Sequence, residues 1–247
     1  MPRNIFVTGA AGYIGRLTVA ELAAHEEVGR VVAYDIREAE VPESVVTVSG
    51  DIASQEIAPL LEQYGIDTVI HLASILKPPP DAPPDLARRV DVIGTRRLLE
   101  ACVEAGVRRF VVTTSGAAYG YSADNPRWMT EEAPARGHPA FEYSRNKSEV
   151  ERILAEFRVT RPELAQVLLR PGTVIGKATH SPVTEIFEGP VVPGILGTDA
   201  PFVFVWDKDM VAILVQAALG DQQGVYNVAG DGALTAKAIA KALGKLY

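Results

Sequence analysis

Ser115, Tyr143 and Lys147 carry the most chemistry in this sequence. Tyr143 and Lys147 stand four residues apart, so a helix through them puts both side chains on one face. A lysine ammonium beside a phenol favours the phenolate and lowers its pKa. A serine hydroxyl can hydrogen-bond the same substrate oxygen. Far upstream lies a glycine-rich run, Thr8-Gly9-Ala10-Ala11-Gly12-Tyr13-Ile14-Gly15. Glycines there permit a tight turn, close helix–strand packing and close backbone approach to a pyrophosphate, whose charge would rest on the N-terminus of the following helix. With a dinucleotide bound, a phenol, an ammonium and a hydroxyl form machinery that moves a proton and a hydride. On spacing alone, an exposed helix pair is the commoner reading of Tyr143 and Lys147. The order of the features and the elements that carry them tip the balance.

Those elements alternate. Apolar runs at 5–8, 31–35, 45–48, 68–72, 110–114, 167–170 and 225–228 read as strands, and 12–25, 57–64, 85–105, 141–157, 210–219 and 235–243 as helices. Gly106 ends the long helix over 85–105, and Thr235 is the expected N-cap of the last helix. Strands alternating with helices imply parallel βαβ units, and strands apolar throughout imply a sheet covered on both faces. The expected fold is α/β: a Rossmann-type doubly wound parallel sheet with a small C-terminal substrate-binding portion. Residues 1–170, joined by about 207–229, form the dinucleotide-binding core. Residues 171–206, rich in Gly, Pro, Val and Phe, and 230–247 form the smaller portion that covers the substrate.

The strand–turn–helix context makes the glycine run a dinucleotide site. Asp35 ends the second strand, 20 residues beyond Gly15, where an acidic side chain accepts from a ribose 2′-OH and repels a 2′-phosphate. This favours NAD over NADP, although Arg37 lies near enough to reach a phosphate. Asp51 and Ile52 follow the third strand and either border the adenine or simply open a turn. Ordinary composition over 247 residues, with 47% hydrophobic and 22% charged, excludes disorder as the default. A net charge of −7 without a basic run argues against nucleic acid and anionic membrane. No apolar run approaches the roughly 18 residues that span a bilayer, and no signal segment precedes the first strand. The single cysteine, Cys102, excludes an internal disulfide and fits a reducing compartment, so the expected location is cytoplasmic. His71 and His138 are not spaced for a metal. His71 reads as a satisfied strand-end histidine, and no metal is expected.

These residues resemble the extended short-chain dehydrogenase/reductase family, in its NAD-dependent epimerase/dehydratase group. The resemblance rests on the glycine run, Gly50-Asp51-Ile52, His71-Leu72-Ala73-Ser74, Val90-Asp91-Val92-Ile93-Gly94-Thr95, Thr113-Thr114-Ser115-Gly116-Ala117-Ala118-Tyr119-Gly120, Tyr143-Ser144-Arg145-Asn146-Lys147, Arg170-Pro171-Gly172 and Tyr226-Asn227-Val228, in the family's order. It implies that Tyr143 is the acid/base, that Lys147 holds the nicotinamide ribose and lowers the Tyr143 pKa, and that Ser115 polarises the reacting oxygen. It implies cofactor contacts from Gly9, Ala11, Gly12, Tyr13, Ile14, Asp35, Asp51, Ile52, Leu72, Ala73, Ser74, Thr113, Tyr143, Lys147, Pro171 and Thr173. It also implies a homodimer through helices 85–105 and 141–157. Their Leu86, Val90, Ile93, Leu98 and Cys102, with Val150, Ile153, Leu154 and Phe157, offer more apolar surface than one sheet contact needs.

This sequence departs from the family in three ways. Position 91 is Asp where Asn is usual. Gly116 and Ala117 stand where sugar-nucleotide dehydratases carry an Asp-Glu pair, which argues against 4,6-dehydration. The chain also stops where relatives usually continue. Lys177 is the only Lys or Arg between Arg170 and Lys208, which favours a small or partly apolar substrate over a pyrophosphate-bearing one. Trp128 and Met129 sit on the loop that would face that substrate. The expected activity is NAD-dependent oxidation or reduction of a secondary alcohol or ketone. A redox-neutral nucleotide-sugar epimerase would use the same residues, and a non-catalytic NAD(P)-binding sensor would keep the glycine run without needing the Ser-Tyr-Lys set.

Overall fold

The computed structural model describes residues 2–194 and 201–247. Its strands are β1 (Arg3–Thr8), β2 (Val28–Asp35), β3 (Val46–Ser49), β4 (Thr68–His71), β5 (Arg109–Thr113), β6 (Ala165–Pro171), β7 (Thr173–Ile175), β8 (Pro201–Phe202), β9 (Phe204–Trp206), β10 (Gly224–Val228) and β11 (Leu234–Thr235). Its α-helices are α1 (Tyr13–Ala23), α2 (Ala58–Gln63), α3 (Leu86–Arg88), α4 (Thr95–Glu104), α5 (Glu142–Thr160), α6 (Asp207–Leu219) and α7 (Ala236–Leu243). Seven strands form one parallel sheet in the order β3-β2-β1-β4-β5-β6-β10.

Side chains alternate across this sheet. Phe6, Val32, Val69, Phe110 and Leu168 pack under α2, α4 and α5 with Leu61, Leu98, Ile153 and Leu154. Ile5, Val7, Val31, Ile70, Val111 and Leu169 face α1 and α6 with Val19, Leu22, Met210 and Leu214. Both faces are dry, which explains the nearly continuous apolar strands. Strand order reverses between β1 and β4, where open α/β sheets bind ligands beyond the carboxyl ends of the strands. Thr8 and His71 are register partners at that point.

Helix 85–105 departs from expectation. After α3 the chain enters a π turn, Arg89–Gly94, and only then becomes α4. The Thr95 hydroxyl donates to the Asp91 carbonyl at 2.5 Å, and Gly94 lies so close to Ile52 that a Cβ would stand 2.9 Å from its Cγ2. One extra residue in a turn leaves no mark on hydrophobic periodicity, so the sequence reads as a plain helix. The dimer argument also changes. Leu98, Cys102, Val150, Ile153, Leu154 and Phe157 are spent in the core of this chain, leaving Leu86 and Val90 half-buried and Ile93 exposed. Ion pairs join the same helices outside that core, Arg88 to Glu149 at 2.7 Å and Arg96 to Glu156 at 3.0 Å.

Beyond β6 the chain makes short pairings. β7 runs parallel to β9, and β8 pairs antiparallel with β11, so the segment after β6 and the last residues meet. Phe202 lies 5.2 Å from Phe187 and 6.3 Å from Phe204, centroid to centroid. Residues 195–200, part of the apolar stretch expected over the substrate, lie outside the described residues. The Thr235 hydroxyl accepts from the Ala238 N–H at 3.1 Å and caps α7 as its sequence indicated.

The glycine run packs without slack. Gly9 has φ +70°, and a Cβ there would lie 2.6 Å from the Ala73 nitrogen; one on Gly15 would lie 2.1 Å from the Gly9 carbonyl oxygen. Overpacking of this kind costs about 1–3 kcal/mol. Gly15→Ala should therefore lower unfolding free energy by about 2 kcal/mol in urea titration. An unchanged urea midpoint would show that the turn has room to move.

Candidate active site

Two strand ends and one helix converge on one spot. β5 delivers Ser115 just past its end, β4 ends at His71, and α5 presents Tyr143 and Lys147 one turn apart. Ser115 starts the 3-10 turn Gly116–Tyr119, with its Oγ accepting from the Ala117 N–H at 3.1 Å. That contact leaves the hydroxyl proton free to donate. Tyr143 is half-buried, while Lys147 is only 4% exposed. The Lys147 Nζ lies 5.5 Å from the Tyr143 ring centroid and 3.2 Å from Asp91 Oδ1 in the π turn. Burial presses the Lys147 ammonium toward its neutral form, but Asp91, Tyr143 and Glu151 outweigh it and hold its pKa above the ordinary lysine value.

A buried hydrogen-bond chain leads from Asp91 to the glycine run. The Thr8 Oγ accepts from the Leu72 and Ala73 N–H groups at 3.2 and 3.3 Å, so its own proton goes to His71 Nδ1 at 2.7 Å. The ring proton then sits on Nε2 and is donated to Thr95 Oγ1 at 2.9 Å, and Thr95 donates to the Asp91 carbonyl. Burial, helped by the nearby Lys147 charge, lowers the His71 pKa to about 3. His71 is therefore a neutral spacer with both nitrogens satisfied.

The expected cofactor residues occupy varied places around the carboxyl ends of the strands. Gly12 precedes α1 with extended backbone, and among the described residues no side chain caps that terminus. The Asp35 carboxylate accepts from the Ala11 N–H and the Arg37 N–H, both at 3.0 Å, so the second strand's acid grips the turn it is expected to serve. Leu72 and Ala73 border Gly9, and Thr113 ends β5. Ser74 is exposed, while Pro171 and Thr173 are half-buried at the end of β6 and the start of β7. Ile14 packs on the α1/α6 side of the sheet. Asp51 behaves mostly as a turn opener, accepting from the Ala53 N–H and the Ser54 hydroxyl, both at 2.9 Å, and Ile52 is buried against Gly94. Tyr13 donates to Asp207 Oδ2 at 2.5 Å, tying the turn to the start of α6.

Sequence reasoning missed a second buried network. Arg170 Nε lies 3.0 and 3.1 Å from the Glu151 oxygens, and its Nη1 donates to the Tyr119 hydroxyl at 2.8 Å and the Glu131 carbonyl at 3.2 Å. Tyr119 in turn meets Asn227 Oδ1 at 2.7 Å, and Asn227 Nδ2 donates to the Met129 carbonyl at 3.1 Å. The loop between Ser115 and Tyr143 is thereby pinned near its middle. Trp128, beside this anchor, is 58% exposed. A signal existed: Lys147 and Glu151 are charged residues at core-face spacing on a helix.

A model of the NAD dependent epimerase/dehydratase family matches residues 5–229. The chain belongs to that family. Members of known structure share its sheet. MoeE5, solved with UDP-glucose and NAD, is 29% identical with a TM-score of 0.77, covering 98% of this chain and 83% of that one. The UDP-glucose 4-epimerase of Thermus thermophilus, solved with NAD, is 27% identical with a TM-score of 0.78 over 98% and 84%. An uncharacterized protein of Mycobacterium tuberculosis is 28% identical over 242 residues, 94% of this chain and 64% of its own length. The bovine (Bos taurus) sterol-4-alpha-carboxylate 3-dehydrogenase, decarboxylating, is 30% identical over 171 residues, 69% of this chain and 46% of that enzyme. The chain thus spans under two thirds of the length of these curated relatives.

The depressed His71 pKa links pH to stability. The unfolded chain binds this proton below its ordinary value of 6.5 and the folded chain only near 3, so stability is full above pH 6.5 and falls as pH drops through that window. The slope from this one group approaches about 1.4 kcal/mol per pH unit. His71→Gln should remove this component. The stability gap between the two proteins, from urea unfolding, should narrow as pH falls from neutral toward 5, and a pH-independent gap would mean that His71 is not held neutral.

Proposed function

We propose that this chain is an NAD-dependent oxidoreductase acting on a secondary alcohol or its ketone, with Tyr143 as acid/base. The observation that carries this reading is the buried Lys147 ammonium 5.5 Å from the Tyr143 ring, on the same helix face and beside the switch point of the sheet. Family membership makes NAD the expected cofactor, and the chain fits it. Gly9 and Gly15 let the turn pack against β4 and α1 where a Cβ would collide, the start of α1 offers free N–H groups to a pyrophosphate, and Asp35 at the end of β2 would accept from a ribose diol. When bound, NAD supplies the hydride acceptor or donor.

The protein's own groups handle the proton. Tyr143 removes it from the substrate hydroxyl during oxidation and returns it during reduction, with the Lys147 ammonium on the same helix face. Ser115 donates its free proton to the same oxygen and fixes the substrate's orientation. Lys147, Leu72, Ala73 and Thr173 hold the cofactor side of the site. Gly116 and Ala117 supply no carboxyl group after Ser115, so water elimination by an Asp-Glu pair is not part of this reading.

A redox-neutral epimerase is the second reading, favoured by 27% identity to the Thermus UDP-glucose 4-epimerase. Likeness to the bovine sterol dehydrogenase favours net oxidation of a partly apolar alcohol, in line with Lys177 as the lone basic residue between Arg170 and Lys208. Assays must therefore follow both nicotinamide absorbance and epimer formation.

Two outcomes are expected. Tyr143→Phe should keep the fold and lose activity by 10²- to 10⁴-fold, the usual contribution of general acid–base catalysis. Near-normal turnover would remove Tyr143 from that role. In calorimetric titration NAD should bind the unmodified protein more tightly than NADP, and Asp35→Ala should narrow the difference. Tighter NADP binding by the unmodified protein would reverse the cofactor assignment.

A further inference from the structure

The group facing Lys147 is a carboxylate, and it is entirely buried. The side chains of Lys147 and Asp91 are 5% and 0% exposed, with Nζ and Oδ1 3.2 Å apart. Asp91 Oδ2 receives no hydrogen bond among the described residues. The π turn holds Asp91 in place, because its carbonyl is gripped by Thr95, which is held by His71. The chain that reaches Thr8 thus fixes the Asp91 backbone, and the ion pair with Lys147 holds its carboxylate.

The charges around this point are few. α5 contributes Tyr143, Lys147, Glu151 and Arg158, β4 contributes His71, β6 contributes Arg170, the π turn contributes Asp91, and the loop after β5 contributes Tyr121, whose phenol pKa is pushed up by burial and by Tyr143. Glu151 is matched by Arg170 at 2.5 Å, and His71 is neutral. What remains beside Tyr143 is Lys147 against Asp91. With the carboxylate present, the ammonium beside Tyr143 has a matching charge; without it, that ammonium is uncompensated.

We propose that Asp91 is a positioning residue that serves as the resident counter-ion of Lys147, raising the pH at which the Tyr143–Lys147 pair gives up its first proton. The inference rests on the acid/base reading of Tyr143 for its catalytic meaning, but its physical content does not need a substrate. Lys147 alone would pull strongly on the phenolic proton; Asp91 tempers that pull while keeping the buried ammonium charged and in place. Removing a nearby anion makes every neighbouring proton easier to lose. At a separation of several ångströms and the effective dielectric of a protein, one charge moves such a titration by about one pH unit.

The test is an ultraviolet titration of tyrosinate on the full chain, without cofactor. The signal of Tyr143 is the difference between a protein and its Tyr143→Phe partner, taken once in the natural background and once in Asp91→Asn. Asp91→Asn preserves shape and removes the charge, and its midpoint should fall by about one pH unit. Asp91→Ser is the second variant should the first fail to fold, with circular dichroism as the check. A purely structural Asp91 would lower the melting temperature and leave the midpoint in place, which overturns the proposal. So would a higher midpoint, or a Tyr143 signal absent from both proteins up to alkaline unfolding. Loss or retention of turnover in Tyr143→Phe bears on the acid/base reading separately, so the two can fail independently.

Discussion

An ammonium buried beneath the sheet's carboxyl edge is the constraint around which this structure is arranged. Desolvating Lys147 is costly, and a buried charge survives only when paired and held. Asp91 supplies the pair, but a carboxylate on an ordinary helix turn would be free to retreat. The π turn, the Thr95 hydroxyl, the neutral His71 and the Thr8 hydroxyl fix the backbone that carries it, and Lys147 holds the carboxylate itself. The same Thr8 oxygen collects the Leu72 and Ala73 N–H groups, which press against Gly9. The proposed proton-handling end and the proposed phosphate-handling end are thus joined by one buried polar chain.

A second buried pair does comparable work on the substrate side. Arg170 and Glu151 are both fully engaged, and their partners reach the loop between Ser115 and Tyr143 through Tyr119, Glu131 and Asn227. Breaking such a pair from one side leaves an uncompensated charge, a loss of about 3–5 kcal/mol. The arrangement explains why the motifs around Tyr119, Arg170 and Asn227 occur together: they are three corners of one network. α5 carries a member of each pair on its buried face, Lys147 toward β4 and Glu151 toward β6.

The sheet, the alternation of its strands with helices and the glycine run were legible because each rests on local rules: apolar strands, helical periodicity, glycine where a Cβ collides. Tyr143, Lys147, Asp35 and Thr235 stood out because their chemistry and position agreed. The π turn did not, since one added residue leaves the apolar spacing of 85–105 almost unchanged. How much of the apolar surface on the same helices is spent on the sheet was also not legible, because sequence shows which residues are apolar and not how much sheet each one covers. Glu151 went unnoticed for a related reason: a charged residue on a long helix reads as solvated until its facing partner, Arg170, is brought there by a strand 19 residues on. Asp51, by contrast, fits the modest reading, opening a turn with Ala53 and Ser54.

Substrate choice is legible from neither the core nor its family. Similar proteins include one solved with UDP-glucose, a UDP-glucose 4-epimerase and a sterol dehydrogenase. That variety has a physical basis. The proposed transfer of a proton and a hydride needs fixed distances, which β4, β5 and α5 would provide from within a packed sheet. On the proposed reading, recognition of the rest of the substrate falls to the segment after β6, held by two-stranded pairings and a small cluster of phenylalanines, Phe187, Phe202 and Phe204. Side chains there can change without disturbing Lys147 or Asp91, because none of them takes part in either buried ion pair. On the proposed reading, a single reaction core can serve unlike substrates, because the phenylalanine cluster of the outer layer lies apart from both buried ion pairs.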